Sequence, residues 1–220
     1  MPKTAGTSII AAMQEQFGER AYVYGQTEPY RDFEKSAPGM DGRRFIAGHL
    51  TMEQIDLIPG DKRIFTVVRP PVDRILSWYD FLCRASRATL YGWTREGDIH
   101  TFIERCCEVR RDVLAGKPVP PPLRANSIEM FNNMCRRLHP DATAESALRV
   151  IRERGIRTLD QSRLADDLPI LSDWMDVPDL PRLNVTAERK DYPESARLRI
   201  AELNTEDANL YAALSTRRST

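Results

Sequence analysis

Apolar residues recur along this chain with two periods, one helical and one strand-like. Between Thr7 and Phe17, the residues Ile9, Ile10, Met13 and Phe17 fall on one face of a helix, and Gly18 is a fitting stop. Arg20–Tyr24 alternates as a short strand, and Arg44–Gly48 is a second, ending in Gly48-His49. The stretch 26–42 sets Pro29, Pro38, Gly39 and Gly42 among polar residues and reads as a connection. Thr51–Leu57 predicts a short helix, with Thr51 as its N-cap and Gln54 three positions on. Arg63–Val68 is the strongest strand: Ile64, Phe65, Val67 and Val68 surround Thr66, apolar on both faces as in a central parallel strand. Pro70 and Pro71 suit the first turn of the helix that follows, whose buried stripe is Val72, Ile75, Leu76, Tyr79 and Leu82.

The rest of the chain is mainly helical. Asp98–Leu114 carries Ile99, Phe102, Ile103, Cys106 and Val113 on one face, and Lys117–Pro122 is a proline-rich break. Asn126–Leu138 and Thr143–Arg154 read as two further helices, the second closed by Gly155. Ile156–Leu159 is a strand, and Ser162–Trp174 is a helix kinked by Pro169. A proline-containing loop leads to Leu183-Asn184-Val185-Thr186, and Glu194–Leu214 is an amphipathic helix with a break at Asn204-Thr205. Strands alternating with helices predict a single α/β domain over residues 1–220: a central, mainly parallel sheet flanked by helices, with a helical C-terminal half. Such sheets bind ligands at the carboxyl ends of their strands. Those ends are Pro2–Ser8, Gly48-His49 and Arg69. A phosphate-binding loop normally follows a buried strand; Pro2–Ser8 has none ahead of it, so the expectation is a missing first strand: cut off, lost to a misassigned start, or replaced by another segment.

Charge narrows the classes of partner. Lys plus Arg equals Asp plus Glu, 32 against 32, in 220 residues. A protein of duplex nucleic acid or of anionic membranes needs a basic excess, so neither is expected, while a local basic site for a small anion is compatible. Cys83, Cys106, Cys107 and Cys135 show no CxxC spacing, which argues against zinc and for reduced, partly buried thiols. No apolar run approaches the ~18 residues of a membrane span, and no signal segment opens the chain. The expectation is a cytoplasmic protein, with membrane association or a Golgi setting reserved for the case that an N-terminal segment has been lost.

Two segments carry candidate chemistry. Pro2-Lys3-Thr4-Ala5-Gly6-Thr7-Ser8 is a small-residue loop entering a helix, where several backbone N–H groups and the helix dipole converge. Lys3 adds a full charge, and Thr4, Thr7 and Ser8 add hydroxyls, completing a cradle for phosphate or sulfate. Because the lysine precedes the glycine, this is not a Walker A loop and assigns no hydroxyl to magnesium. The plain alternative is a helix start rich in Thr and Ser. In Arg69-Pro70-Pro71-Val72-Asp73-Arg74-Ile75-Leu76-Ser77, the guanidinium of Arg69 stands at a strand's carboxyl end and Ser77 two turns into the next helix. Fork and hydroxyl together suit a second phosphate. The alternative is that Arg69 and Arg74 pair with Asp73 or Asp80 on a solvated face.

Lys-Thr-Ala-Gly-Thr-Ser, then Gly-His-Leu, then Arg-x-Pro-x-x-Arg-x-x-Ser-x-Tyr-x-Phe resembles the carbohydrate sulfotransferases. The likeness is nearest to the branch of heparan sulfate and uronyl 2-O-sulfotransferases and their bacterial relatives. Asn132–Leu138, Leu183-Asn184-Val185, and Asn204, Asp207 and Leu210-Tyr211 extend it along nearly the whole chain. The resemblance implies a P-loop-type three-layer fold. It also implies a metal-free reaction in which 3′-phosphoadenosine 5′-phosphosulfate (PAPS) gives its sulfuryl group to a hydroxyl of a carbohydrate or glycolipid. Lys3, Thr4, Ala5, Gly6, Thr7 and Ser8 fall on the loop for the 5′-phosphosulfate, and Arg69 and Ser77 on the segment for the 3′-phosphate. His49 falls on the position of the general base, and Lys3 on that of the leaving-phosphate stabiliser. Pro70 replaces the family's usual aspartate. His100 and His139 are at no strand end and are expected to be structural, and Trp78 to be core. Arg84, Arg87, Arg95, Arg110 and Arg111 either line a groove for an acidic glycan or form solvated faces. The rival functions are a nucleotide-dependent small-molecule kinase of P-loop type, and a truncated, inactive nucleotide-binding homologue.

Overall fold

Ile9 and Met13, four positions apart on one helical face, are 4% and 0% exposed, and they bring the first helix down onto strands from both ends of the chain. The structure is a computed structural model and describes residues 6–24, 33–84, 98–176 and 190–216. Its elements in order are α1 Gly6–Phe17, β1 Ala21–Val23, α2 Phe33–Ser36, β2 Phe45–Ala47, α3 Met52–Asp56, β3 Phe65–Val68 and α4 Pro71–Arg84. There follow α5 Ile99–Leu114, α6 Pro121–Met130, α7 Asn133–Leu138, α8 Ala144–Glu153, β4 Arg157–Asp160, α9 Leu164–Asp167, α10 Glu194–Leu203 and α11 Thr205–Thr216.

Most of the predicted elements are present, in part because their caps are. Thr51 Oγ1 accepts from the Gln54 amide at 3.3 Å while the Gln54 side chain accepts from the Thr51 amide at 3.0 Å, so α3 starts with a full capping box. Asp98 caps α5 through the Thr101 amide, and Thr143 caps α8 through that of Ser146. Gly155 follows α8 at φ 58°, and α10 and α11 meet at Asn204, as the break there predicts.

The strands pair in parallel, but not as the single central sheet expected. Among the described residues β1 pairs only with β2, with Ala21 opposite Phe45, and β3 only with β4, with Phe65 opposite Arg157. The two pairs nevertheless pack against the same helix. Ala21, Phe45 and Ala47 of one pair and Phe65, Val67 and Leu159 of the other all pack into the cluster around Ile9 and Met13 of α1. With a strand's period of two, these residues share a face. On the opposite face Ile46 joins Tyr22, Tyr24 and Met40, while Ile64 and Val68 join Met134, Cys135 and Leu138.

The helical half has its own core. Ile75, Trp78, Tyr79 and Leu82 of α4 meet Phe102, Ile103 and Cys106 of α5 and Ile200 of α10. Trp78 and Tyr79 flank the Phe102 ring at centroid distances of 5.3 and 5.0 Å, so Trp78 is core as expected.

Three expectations are corrected. The helix read over Asn126–Leu138 is two helices, α6 and α7. Phe131 is extended, and Asn132 is left-handed at φ 43°, a conformation that Asn tolerates better than most residues. Tertiary bonds hold the break: the Asn132 amide donates to Asn204 Oδ1 at 3.0 Å, and Asn132 Oδ1 accepts from the Asp207 amide at 3.2 Å. The helix read over Ser162–Trp174 is 3₁₀ turns around the four-residue α9. The Asp160 carboxylate turns the chain by accepting from the Ser162 amide and hydroxyl, and Pro169 opens the turn Leu168–Leu171, where it has no N–H to give. Arg74 is not on a solvated face: it is wholly buried, 3.9 Å from Asp207 Oδ2, and its Nη2 donates to the Glu129 carbonyl at 2.9 Å.

Candidate functional site

A cavity of about 850 Å³ lies between β2 and β3. Gly6, Gly48, His49 and Arg137 border it at one end, and Phe17, Arg44, Lys62, Arg63 and Trp174 at the other. The first end is the carboxyl end of β2, where such a fold presents its ligand groups. Gly48 makes the exit from β2 possible: a Cβ there would lie 3.2 Å from Tyr24 Cβ and 3.3 Å from Leu50 Cγ. The chain then turns and sets His49 on the cavity wall. Across the space stands the first residue of α1, Gly6, in front of which a Cβ would meet nothing within 4 Å among the described residues.

His49 is half-buried, and its Nδ1 is enclosed without a hydrogen-bond partner. Burial, with the Arg137 cation adding to it, pulls its pKa down to about 3. The imidazole is therefore neutral at physiological pH. Arg137 is the side chain that fixes this corner. Its Nη1 donates to the His49 carbonyl, and its Nη2 donates to Glu129 Oε1 at 2.7 Å. Glu129 Oε2 in turn stands 3.9 Å from Nη1 of the buried Arg74, in the first turn of α4. A line of charge thus joins the carboxyl end of β2 to the helix that follows β3. The two strands consequently point their carboxyl ends to the same side.

The predicted site residues are brought together in part. Gly6 and His49 share the cavity; Thr7 is exposed at the start of α1, and Ser8 is buried at 8% exposure. Lys3, Thr4 and Ala5 lie outside the described residues, as do Arg87, Arg95 and Leu183–Thr186. Arg69, between β3 and α4, and Ser77, within α4, are half-buried and do not line the cavity. They flank Arg74 on the α4 side of the charge line. Arg84 and Arg111 are exposed, and Arg110 lies over the Phe131 ring at 4.3 Å. The residues missed in the sequence are Arg137 and Glu129. They are eight positions apart, across a helix break with no local signal, so only the folded chain pairs them.

Other reactive groups have structural partners. His100 Nε2 is 3.2 Å from Ser195 Oγ, and His139 Nδ1 is 3.1 Å from Asp141, as a structural role requires. All four cysteines are free thiols, and burial pushes Cys106, Cys107 and Cys135 above the usual thiol range, which leaves little nucleophilic thiolate. Asp160, at the carboxyl end of β4, accepts from Tyr211 Oη at 2.7 Å. Among the described residues no cluster of His, Cys, Asp and Glu could hold a metal ion, and no helix is long and apolar enough to cross a membrane. No protein-family model matches the chain, and no curated protein or solved structure matches it.

Proposed function

We propose that this protein is a sulfotransferase that moves the sulfuryl group of PAPS to a hydroxyl of a carbohydrate or glycoconjugate, glycolipids included. One observation carries the reading: the N-terminus of α1 at Gly6 and the neutral imidazole of His49 open on one cavity at the carboxyl end of a parallel strand. The loop Lys3–Ser8 would receive the 5′-phosphosulfate on backbone N–H groups and the Lys3 ammonium, and Arg69 and Ser77 would receive the 3′-phosphate. The same reading takes β1-β2 and β3-β4 as the two sides of a P-loop-type three-layer fold with its central position between them.

In the reaction the acceptor oxygen bonds to sulfur as the bond from sulfur to the bridging phosphate oxygen breaks. The electron pair leaves with adenosine 3′,5′-bisphosphate, where Lys3 and the loop amides meet the developing charge. The acceptor proton passes to a ring nitrogen of His49. A base with a pKa near 3 is weak for this work. It suffices late in the transfer, because the oxygen newly bonded to sulfur carries a strongly acidic proton. Arg137 holds the His49 backbone while this happens.

The test supplies PAPS labelled in its sulfuryl group, together with a panel of saccharide and glycolipid acceptors. The expected outcome is label on an acceptor and release of adenosine 3′,5′-bisphosphate. His49→Ala is expected to lower turnover roughly 10²–10⁴-fold while bisphosphate binding stays within a few-fold. Phosphoryl transfer from ATP with magnesium would replace this reading by the kinase; bisphosphate binding with no turnover on any acceptor would replace it by an inactive nucleotide-binding protein.

A further inference from the structure

Two half-buried arginines, Arg110 of α5 and Arg136 of α7, lie within electrostatic reach of one another with no anion between them among the described residues. Arg136 Nε is enclosed and has no hydrogen-bond partner, and its guanidinium forms no ion pair among the described residues. Buried donors of this kind are nearly always satisfied, so this one calls for an acceptor. Burial holds the Arg136 guanidinium below the usual arginine range, and the Arg110 cation adds to that. The carboxylate that acts against the shift is Asp207, whose two oxygens already accept from the Met134 and Cys135 amides. Arg110 stacks over the Phe131 ring at 4.3 Å, and Phe131 sits at the break just ahead of α7, so the stack draws Arg110 towards that helix. Stacking occupies the face of a guanidinium and leaves the N–H groups in its plane free to donate. Among the described residues no hydrogen bond or ion pair uses those of Arg110.

We infer that Arg110 and Arg136 together hold one dianionic oxyanion, a phosphate or a sulfate. The charge decides the class of ligand. Two like charges held partly out of water repel each other, and a doubly charged group between them offsets both at once. A carboxylate brings one charge and two oxygens; phosphate or sulfate brings two charges and enough oxygens for each planar fork to be met separately. Partial burial strengthens such bonds relative to water, and because neither arginine is wholly buried the pair stays open to a ligand arriving from solvent. This is not the corner of His49. Arg137 borders the cavity there, but Arg136, its neighbour in sequence, does not, and neither does Arg110. The inference uses no residue assigned to the nucleotide or to catalysis, so it stands or falls apart from the sulfotransferase reading.

The experiment follows the side-chain Nε–Hε signals of Arg110 and Arg136 in the full chain by NMR while sulfate, inorganic phosphate or phenyl phosphate is added, with acetate at matched ionic strength as the control. The expected result is a saturable shift of both signals with the dianions and none with acetate. At about ten times the dissociation constant, the thermal midpoint is expected to rise by roughly 3–5 °C. Arg136→Gln and Arg110→Gln are each expected to weaken binding at least about tenfold, and Arg152→Gln, at an exposed position on α8, to leave it unchanged. Phenyl phosphate binding as tightly as phosphate would mark the anion as a group on a larger ligand; a preference for the inorganic ions would mark it as a free one. Should Arg136→Gln fail to fold, the titration of the unaltered chain and of Arg110→Gln still decides. The inference is overturned by the absence of a saturable shift, which would mean that the chain supplies its own counter-ion. It is overturned equally by an acetate response of the same size, or by binding that survives both substitutions.

Discussion

The two halves of this molecule solve the burial of backbone and charge in opposite ways. In the helical half, Phe102, Cys106, Met130 and Ile200 are at 0% exposure, and even the guanidinium of Arg74 is enclosed, opposite Asp207 and Glu129. Asp207 accepts from the Met134 and Cys135 amides at 3.1 and 2.9 Å, filling donors at the start of α7 that would otherwise go unpaired. In the sheet half, four strands of three or four residues leave an 850 Å³ cavity between their inner edges, and Phe65 and Ile46 stay half-buried beside it. The ion pairs there are at the surface, such as Arg154 with Asp56. The contrast shows where rigidity is held and where room is kept. Stability concentrates in the helices, and the candidate chemistry lies on the less complete side, joined to the helices through Arg137.

The largest effect that would break this division comes from Asp207. Asp207→Ala strips two helix-start amides and removes one of the two carboxylates opposite the buried Arg74; a loss of about 3–5 kcal/mol is expected, read by urea unfolding. Next comes a matched pair of cavities. Phe102→Ala is expected to cost about 3–5 kcal/mol and Phe65→Ala less than half of that, because Phe65 already borders open space. Equal losses would erase the distinction between the halves. The third measurement follows pH. Unfolded histidine titrates near 6.5, whereas burial holds folded His49 at about 3. Below pH 6.5 the unfolded chain therefore binds a proton that the folded chain refuses, and stability falls as pH drops toward 3. Between pH 7 and pH 5 the loss is roughly 2 kcal/mol, and His49→Phe is expected to flatten that slope. The smallest effect is at the seam: Tyr211→Phe removes the bond to Asp160 and is expected to cost about 1 kcal/mol.

What the sequence makes legible is local. Thr51 with Gln54, the apolar run Ile64–Val68, the stripe of α4, and Gly155 each declare an element through its own residues, and each element is there. Gly48-His49 at a strand end is legible for the same reason. The readings that failed depend on distant partners. Nothing near Asn132 says that Asn204 will hold it left-handed, and nothing near Arg74 says that Asp207 will let it be buried. The arrangement of strands as two pairs is likewise a property of edges meeting across space. Asn204 and Asp207, noticed as matches to a terminal helix, prove to be the partners that shape α7.

The Asp207 cap has a consequence in time. Its bonds to Met134 and Cys135 span more than seventy residues, and its side chain comes from the last helix described. As the chain is synthesised from its N-terminus, α7 cannot acquire its capped start, nor Arg74 the second of its two carboxylates, until α11 has left the ribosome. Such late, long-range closure slows the search for the native state. The domain is therefore expected to become protease-resistant only once α11 has emerged, and a nascent chain stalled at Thr205 to remain sensitive.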